Sequence, residues 1–161
     1  MTITFFQTKY DILLKEWEYL ENKILKFDSI VFSIRGWAVS VYSACLIFAA
    51  KDNEPAIMIL CIIPLLVFWA TDALQKAFQR KFITRKQTIE DYLNSKKFED
   101  DFTNLNWSFT TPLIGESIGN GTFSKRLSEL LKAAKLRNVL FTYISLIIAC
   151  LLTFTYFTCY S

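Results

Sequence analysis

Two residues of opposite charge, Arg35 and Asp72, interrupt the apolar segments of this chain of 161 residues. The uncharged runs at 36–50 and 56–71 are each shorter than the ~20 residues that a helix needs to cross a bilayer. A helix that spans the membrane must therefore include one of these charges, which costs ~2.5–3.5 kcal/mol near the bilayer centre.

The turn at 51–55 explains how this cost could be reduced. Arg35 and Asp72 lie at similar sequence distances from that turn, so an antiparallel helical hairpin would hold them at one depth. We predict that they form an intramembrane ion pair. The alternative is that Arg35 extends to the lipid headgroups and Asp72 only ends its helix.

A basic region follows the second apolar segment. Its cations recur at helical spacing, and two more begin a later helix: Lys76, Arg80, Lys81, Arg85, Lys86, Lys125 and Arg126. Such residues beside a bilayer usually bind anionic headgroups and set topology. The other interpretation is a site for an anionic ligand such as a nucleotide or oligonucleotide. The glycines at 115–121 could help to hold a phosphate at a helix N-terminus, or they form an ordinary flexible connection.

Small hydroxyl residues lie within the apolar segments. They form a candidate pore or helix-packing face: Ser40, Ser43, Thr142, Ser145 and Thr153. Faces of this kind let membrane helices approach closely, or line a water-filled path between subunits. Since a chain with three spans cannot enclose a pore alone, the pore interpretation requires an oligomer.

Several kinds of chemistry are excluded by composition. The chain has no histidine, which removes His-based triads and most zinc chemistry. No pair of carboxylates lies within a span, and the acidic cluster at 99–101 is expected to be solvated surface on a loop. The four cysteines are expected to be buried and inert. We predict that the protein is not an enzyme and has no cofactor and no metal.

The elements that position these residues are helical. The chain is 53% hydrophobic with a mean hydropathy of +0.29, and the apolar residues fall in three blocks of bilayer-spanning length. We predict an all-α membrane protein whose three transmembrane helices are extended by long cytoplasmic helices into an intracellular helical bundle. The predicted segments are a cytoplasmic amphipathic helix at 1–29, transmembrane helix 1 at 30–50, an outer turn at 51–55, transmembrane helix 2 at 56–74, a cytoplasmic basic helix at 75–98, a cytoplasmic loop at 99–123, a cytoplasmic helix at 124–138 and transmembrane helix 3 at 139–160.

The distribution of lysine and arginine predicts the orientation. Almost all of these residues fall before the first span or between the second and third spans. By the positive-inside rule, the N-terminus and the 75–138 segment are cytoplasmic and the C-terminus lies outside, in a multi-pass protein of the bacterial inner membrane.

A heptad pattern precedes the first span. Its core is an oligomer seam formed by Tyr10, Leu13, Trp17, Leu20, Ile24 and Phe27. The pattern predicts a helix that packs on another helix of this chain or of a neighbouring subunit, the alternative being a helix that lies flat on the membrane. We predict a homo-oligomer, for example a tetramer, embedded in the lipid bilayer.

The arrangement of "SIRGWAVSVYSACL", a short acidic turn and "LLVFWATDALQKAFQRKF" resembles small transmembrane effectors of bacterial anti-phage defence systems, most of all the Hailong-type membrane effector. The resemblance covers residues 1–95 and depends on Arg35-Gly36-Trp37 and on the segment from Trp69 to Asp72. It implies an oligomeric, ligand-gated ion channel or pore that depolarises the inner membrane in abortive infection. It also implies a nucleotidyltransferase partner whose nucleotide or oligonucleotide product holds the channel closed.

Two other functions remain open at this point. One is a non-conducting membrane anchor or scaffold that recruits a cytoplasmic partner through its helices outside the membrane. The other is an accessory subunit of a transporter.

Overall fold

A computed structural model describes the backbone of residues 2–111 and 123–160, and the side chains of 5–111 and 127–159. These residues form helices and no strand. The helices are α1 (Thr2–Asp52), α2 (Ala56–Leu60), α3 (Ile62–Leu93), α4 (Lys96–Thr103), α5 (Phe123–Ala134) and α6 (Arg137–Tyr160). Three helical stretches are long and apolar enough to cross a membrane: Phe5–Asp52, Ala56–Leu93 and Arg137–Cys159. The all-α class and the three candidate spans are thereby confirmed.

Helix α1 is a single helix of 51 residues that joins the predicted segments 1–29 and 30–50. It ends where Asn53 takes a left-handed conformation with a φ of 54°, which asparagine tolerates better than most residues. The Glu54 N–H then donates to the carbonyl of Ala49 at 3.2 Å, which closes the helix end and turns the chain.

The second apolar segment contains a break at Cys61, between α2 and α3. Pro64 accounts for it, because proline has no N–H to donate and its ring crowds the carbonyl four residues earlier, that of Leu60. Beyond the break, α3 continues to Leu93 without interruption at the predicted boundary near Leu74.

The chain divides into two compact units. The first unit comprises Met1–Phe27 and Phe78–Thr122, and the second comprises Asp28–Ala77 and Phe123–Ser161. Long helices α1 and α3 contribute to both. The core of the second unit contains residues from each candidate span: Ala38, Ala49, Met58, Cys61, Leu65, Val139, Tyr143 and Cys150.

The heptad seam is buried inside the first unit. Leu13 and Leu20 are 0% and 2% exposed, and they form one core with Phe82, Ile89 and Tyr92 of α3. The other seam residues pack at the edge of this core or beside it, as in the contact of Phe27 with Phe82, whose ring centroids are 5.5 Å apart. The seam therefore packs on another helix of the same chain. This is one of the two arrangements that the heptad pattern predicts. Leu13 and Leu20 have almost no surface left for a second subunit, whereas Tyr10, Trp17, Ile24 and Phe27 are half-buried.

The predicted loop at 99–123 is also partly wrong. Helix α4 runs to Thr103 and is capped by Ser95, whose side chain accepts a hydrogen bond from the Phe98 N–H. The acidic cluster lies on this helix, and Asp101 is 6% exposed instead of solvated. It accepts hydrogen bonds from the Tyr92 and Ser108 hydroxyls. Burial opposes the charged form, but these hydrogen bonds outweigh it and lower the pKa of Asp101.

The helix predicted at 124–138 does not continue straight into the third span. Helix α5 ends at Ala134, a turn follows, and α6 begins at Arg137. The Ala134 carbonyl at the break accepts a hydrogen bond from the Trp69 indole at 3.3 Å. A tertiary contact thus satisfies a group that a continuous helix would have satisfied itself.

Candidate functional site

Arg35 and Asp72 are in direct contact in the second unit. The Arg35 Nε lies 2.7 Å from Asp72 Oδ2, and the Asp72 side chain is 0% exposed. Helix α1 carries the arginine and α3 the aspartate, as the hairpin geometry predicts. Nearby residues on the two helices, Ile34, Ala38 and Ala73, are apolar and buried. A fully buried carboxylate in such surroundings needs its cation, because an isolated charge there is costly.

The contact leaves part of each group unsatisfied. Arg35 Nη2 and Asp72 Oδ1 are buried and have no hydrogen-bond partner among the described residues. The Tyr143 hydroxyl is the third buried side-chain atom in that condition. Tyr143 comes from α6 and is 0% exposed. Its hydroxyl lies beside Asp72 and near Arg35, but its placement does not meet hydrogen-bond geometry with either of them. All three orphaned atoms therefore belong to one polar site, which includes residues of all three candidate spans.

An aromatic contact positions Tyr143. Its ring stacks on Trp69 with a centroid separation of 6.4 Å and an interplanar angle of 15°. Trp69 in turn donates to the carbonyl at the end of α5. Sequence reasoning missed Tyr143, because a tyrosine in an apolar segment is most simply interpreted as core. Its only sequence signal is a polar atom near the predicted cytoplasmic end of the third span.

The basic region pairs with carboxylates of its own chain. Lys76 contacts Asp28 at 2.9 Å, Arg85 contacts Glu16 at 2.8 Å, and Lys86 contacts Glu21. Arg80 is exposed and Lys81 is half-buried. The side chains of Lys125 and Arg126 lie outside the described residues. The predicted anionic-ligand site is therefore not a row of equivalent cations.

Arg85 is the most enclosed of these paired cations. Its side chain is 10% exposed and that of Glu16 is 1% exposed. The guanidinium also donates to the Thr110 carbonyl at 2.8 Å and lies 5.0 Å from the Phe109 ring centroid. Since the Thr111 hydroxyl donates to Glu16 as well, the pair is closed off by the 109–111 segment. Arg85 thus makes most of its contacts within the first unit and has little surface left for a ligand.

Lys86 belongs to a more open group. It contacts Glu21 and lies 3.6 Å from Glu90, which accepts a hydrogen bond from the Trp17 indole at 3.0 Å. The hydrogen bond to Glu21 is the largest influence and raises the pKa of Lys86. This contribution to stability is complete below the ordinary lysine pKa and is lost as the pH rises through the higher folded value.

The candidate pore residues differ in their surroundings. Ser40, Ser43 and Ser145 are exposed, whereas Thr142 and Thr153 are half-buried. Ser40 and Ser43 donate to the carbonyls of Gly36 and Val39, at 3.0 and 2.9 Å. Each hydroxyl proton is donated to a backbone carbonyl, so the exposed side chain presents only its oxygen, as a hydrogen-bond acceptor, to its surroundings. Thr153 instead contacts the Tyr42 hydroxyl at 3.4 Å, so it packs α6 on α1.

Three cysteines meet in the core of the second unit. Cys45, Cys61 and Cys150 each come from a different candidate span and pack in one cluster. Within the described part of the chain, no group of three or more cysteine or acidic side chains is arranged to hold a metal ion.

No protein-family model, curated protein or solved structure matches this chain.

Proposed function

We propose that this chain is the subunit of an oligomeric ion channel in the bacterial inner membrane, whose opening depolarises the cell in anti-phage defence. The exposed serine oxygens on the candidate spans carry the proposal. Ser40, Ser43 and Ser145 are not covered by their own chain. Several copies around an axis would turn these acceptors toward a common path, where oxygen atoms can replace part of a cation's hydration shell.

The topology follows from the charge distribution. The first unit would be a helical bundle on the cytoplasmic side, with the N-terminus, and Cys159 at the other end of the chain would lie outside. Cys159 is exposed, while Cys61 and Cys150 are buried, so an impermeant thiol reagent can report which side the C-terminus occupies.

The closed state would be held by an anionic ligand, a nucleotide or oligonucleotide made by a partner nucleotidyltransferase. The contacts of the basic region limit which cations can serve. Arg80 is exposed and suits a phosphate, whereas Arg85 is enclosed with Glu16. Lys76 could exchange its partner, because the Asp28 side chain is 54% exposed and its pairing in water is weak.

Replacing Arg80 tests this ligand. A charge-assisted contact to phosphate contributes ~1.5–3 kcal/mol, so Arg80→Gln should weaken binding of a fluorescent short oligoribonucleotide by about 10–150-fold. The matched control is Lys51→Gln, which removes an exposed cation at the C-terminal end of α1, away from the basic region. This variant should leave the oligonucleotide affinity unchanged. If Arg80→Gln leaves the oligonucleotide affinity unchanged but lowers the amount of anionic lipid that the purified protein retains in mixed micelles, Arg80 contacts lipid headgroups.

Conduction is tested in cells with a membrane-potential dye. Induced expression of the chain without a partner should depolarise the inner membrane, because no ligand is then present to keep the channel closed. An unchanged potential in cells that carry the chain in their membrane would contradict the proposal.

A second function is favoured by the surface of the first unit. Phe5 and Phe102 are 54% and 61% exposed, and both lie near the N-terminal end of α1, where the Phe6 and Phe102 ring centroids are 5.8 Å apart. A non-conducting scaffold that recruits a cytoplasmic protein through this surface would explain them. The same dye experiment separates the two functions, since a scaffold leaves the potential unchanged.

A further inference from the structure

Among the side chains that the structure describes, the polar site in the second unit has three atoms without a hydrogen-bond partner and one charge of each sign. Arg35 Nη2 can only donate a hydrogen bond, Asp72 Oδ1 can only accept one, and the Tyr143 hydroxyl can do either. Buried polar atoms in proteins are almost always paired, and leaving one unpaired costs ~1–3 kcal/mol. Three such atoms at one place call for a common partner.

The chemistry of the three atoms specifies that partner. It must accept from a guanidinium N–H, donate to a carboxylate oxygen and exchange a hydrogen bond with a phenol. It must also be uncharged, because Arg35 and Asp72 already neutralise each other at 2.7 Å. An anion would be repelled by the carboxylate and a cation by the guanidinium. Water meets each condition, and buried waters typically make about three hydrogen bonds.

We propose that Arg35, Asp72 and Tyr143 form a binding site for a single ordered water molecule, and that this water connects the third candidate span to the hairpin of the first two. This inference does not depend on whether the chain conducts ions. Tyr143 acts as a positioning residue in it, because its ring stacks on Trp69 and its hydroxyl lies near Asp72 and Arg35.

The third candidate span would then be connected to the hairpin by a polar contact that includes an exchangeable water molecule. Direct packing of α6 on the hairpin must be broken by separating side chains, whereas a water bridge is broken by losing one small molecule. The Arg35–Asp72 contact survives that loss, since its own hydrogen bond does not involve the water.

A Tyr143→Phe variant tests the site through the sign of its effect. The substitution keeps the ring and its stacking and removes only the hydroxyl. If the hydroxyl binds water, the variant loses a bridging hydrogen bond and should melt several degrees lower. If the hydroxyl has no partner, removing it deletes an unsatisfied polar atom, and stability should stay the same or rise. Tyr42→Phe is the matched control, because its hydroxyl has a direct partner in Thr153 at 3.4 Å.

Hydroxyl-radical footprinting then distinguishes water from a direct contact. Radicals generated by X-rays modify buried side chains only where a bound water lies beside them. Tyr143 and Met58 are both 0% exposed, and Met58 has the intrinsically more reactive side chain in an apolar setting. We expect modification at Tyr143 and protection at Met58.

Two outcomes would overturn the inference. A Tyr143→Phe variant as stable as the wild-type protein, or more stable, would show that the hydroxyl has no partner. A destabilised variant in a protein whose Tyr143 is protected from radicals would show that the hydroxyl contacts Asp72 directly, without water.

Discussion

Replacing Arg35 with methionine should lower the free energy of unfolding of the second unit by about 3–5 kcal/mol, because it leaves the carboxylate of Asp72 buried without its cation. Asp72 is 0% exposed, and a neutral water molecule cannot replace the positive charge of the guanidinium. At about 2–4 °C per kcal/mol, the melting temperature should fall by about 6–20 °C. The chain supplies its own probe, since Cys61 and Cys150 are buried and become reactive to a thiol dye as the unit opens.

The double variant and a surface pair provide the controls. Replacing both partners, Arg35→Met with Asp72→Leu, removes the two charges together and should restore most of the lost stability. Lys76→Met breaks the pair with Asp28, whose side chain is 54% exposed, and should cost no more than about 1 kcal/mol. If the single Arg35 variant is no less stable than the Lys76 variant, the pair is not buried in the way described.

Replacing Arg85 with glutamine should destabilise the first unit by a similar amount, about 3–5 kcal/mol. Glu16 would lose its partner while its side chain remains only 1% exposed. The guanidinium contact with the Thr110 carbonyl would also be lost, so the segment over the pair should loosen. No cysteine lies in this unit, so a thiol dye cannot follow its opening. Fluorescence of Trp17 and Trp107 can, once Trp37 and Trp69 of the second unit are replaced by phenylalanine.

Lys86→Gln is the matched control for Arg85→Gln. Lys86 also pairs with a glutamate, but the two side chains are 22% and 36% exposed, so the expected loss is below about 1 kcal/mol. Equal effects of the two substitutions would argue that Arg85 and Glu16 are open to solvent. Because Arg85→Gln is expected to destabilise the fold, Arg80 is the more informative position at which to test ligand binding.

The ion pair between α1 and α3 could be predicted because one short turn joins the two helices. Counting residues from that turn fixes the relative depth of Arg35 and Asp72 without any other knowledge of the fold. Tyr143 could not be placed in this way. It follows a long segment after α3, and no short turn relates its depth to theirs.

The basic region illustrates a different limit. Helical spacing showed that Arg80 and Arg85 recur along one helix, but spacing is the same whether a cation faces lipid, a ligand or a carboxylate. The partner of Arg85 is Glu16, which is 69 residues away in the sequence. Such long-range pairing depends on how α1 packs on α3, and it cannot be predicted from the pattern of charges along a single helix.

The heptad pattern predicted correctly that the apolar face of α1 packs on another helix. It could not say whether that helix belongs to the same chain, because both arrangements need the same repeat. Leu13 and Leu20 are enclosed by their own α3 and are therefore unavailable to a second subunit. Contacts between copies cannot depend on these two leucines, and the proposed pore instead requires the exposed serines of α1.

Ion flux into vesicles reconstituted with the purified chain tests the channel most directly. Wild-type protein, free of any anionic ligand, should dissipate a potassium gradient, and a Ser40→Val/Ser43→Val variant should do so more slowly, because it loses two exposed oxygen acceptors. Insertion in both preparations is confirmed when part of the exposed Cys159 population reacts with an impermeant thiol reagent only after detergent opens the vesicles. A gradient that persists in vesicles containing inserted wild-type protein would contradict the account.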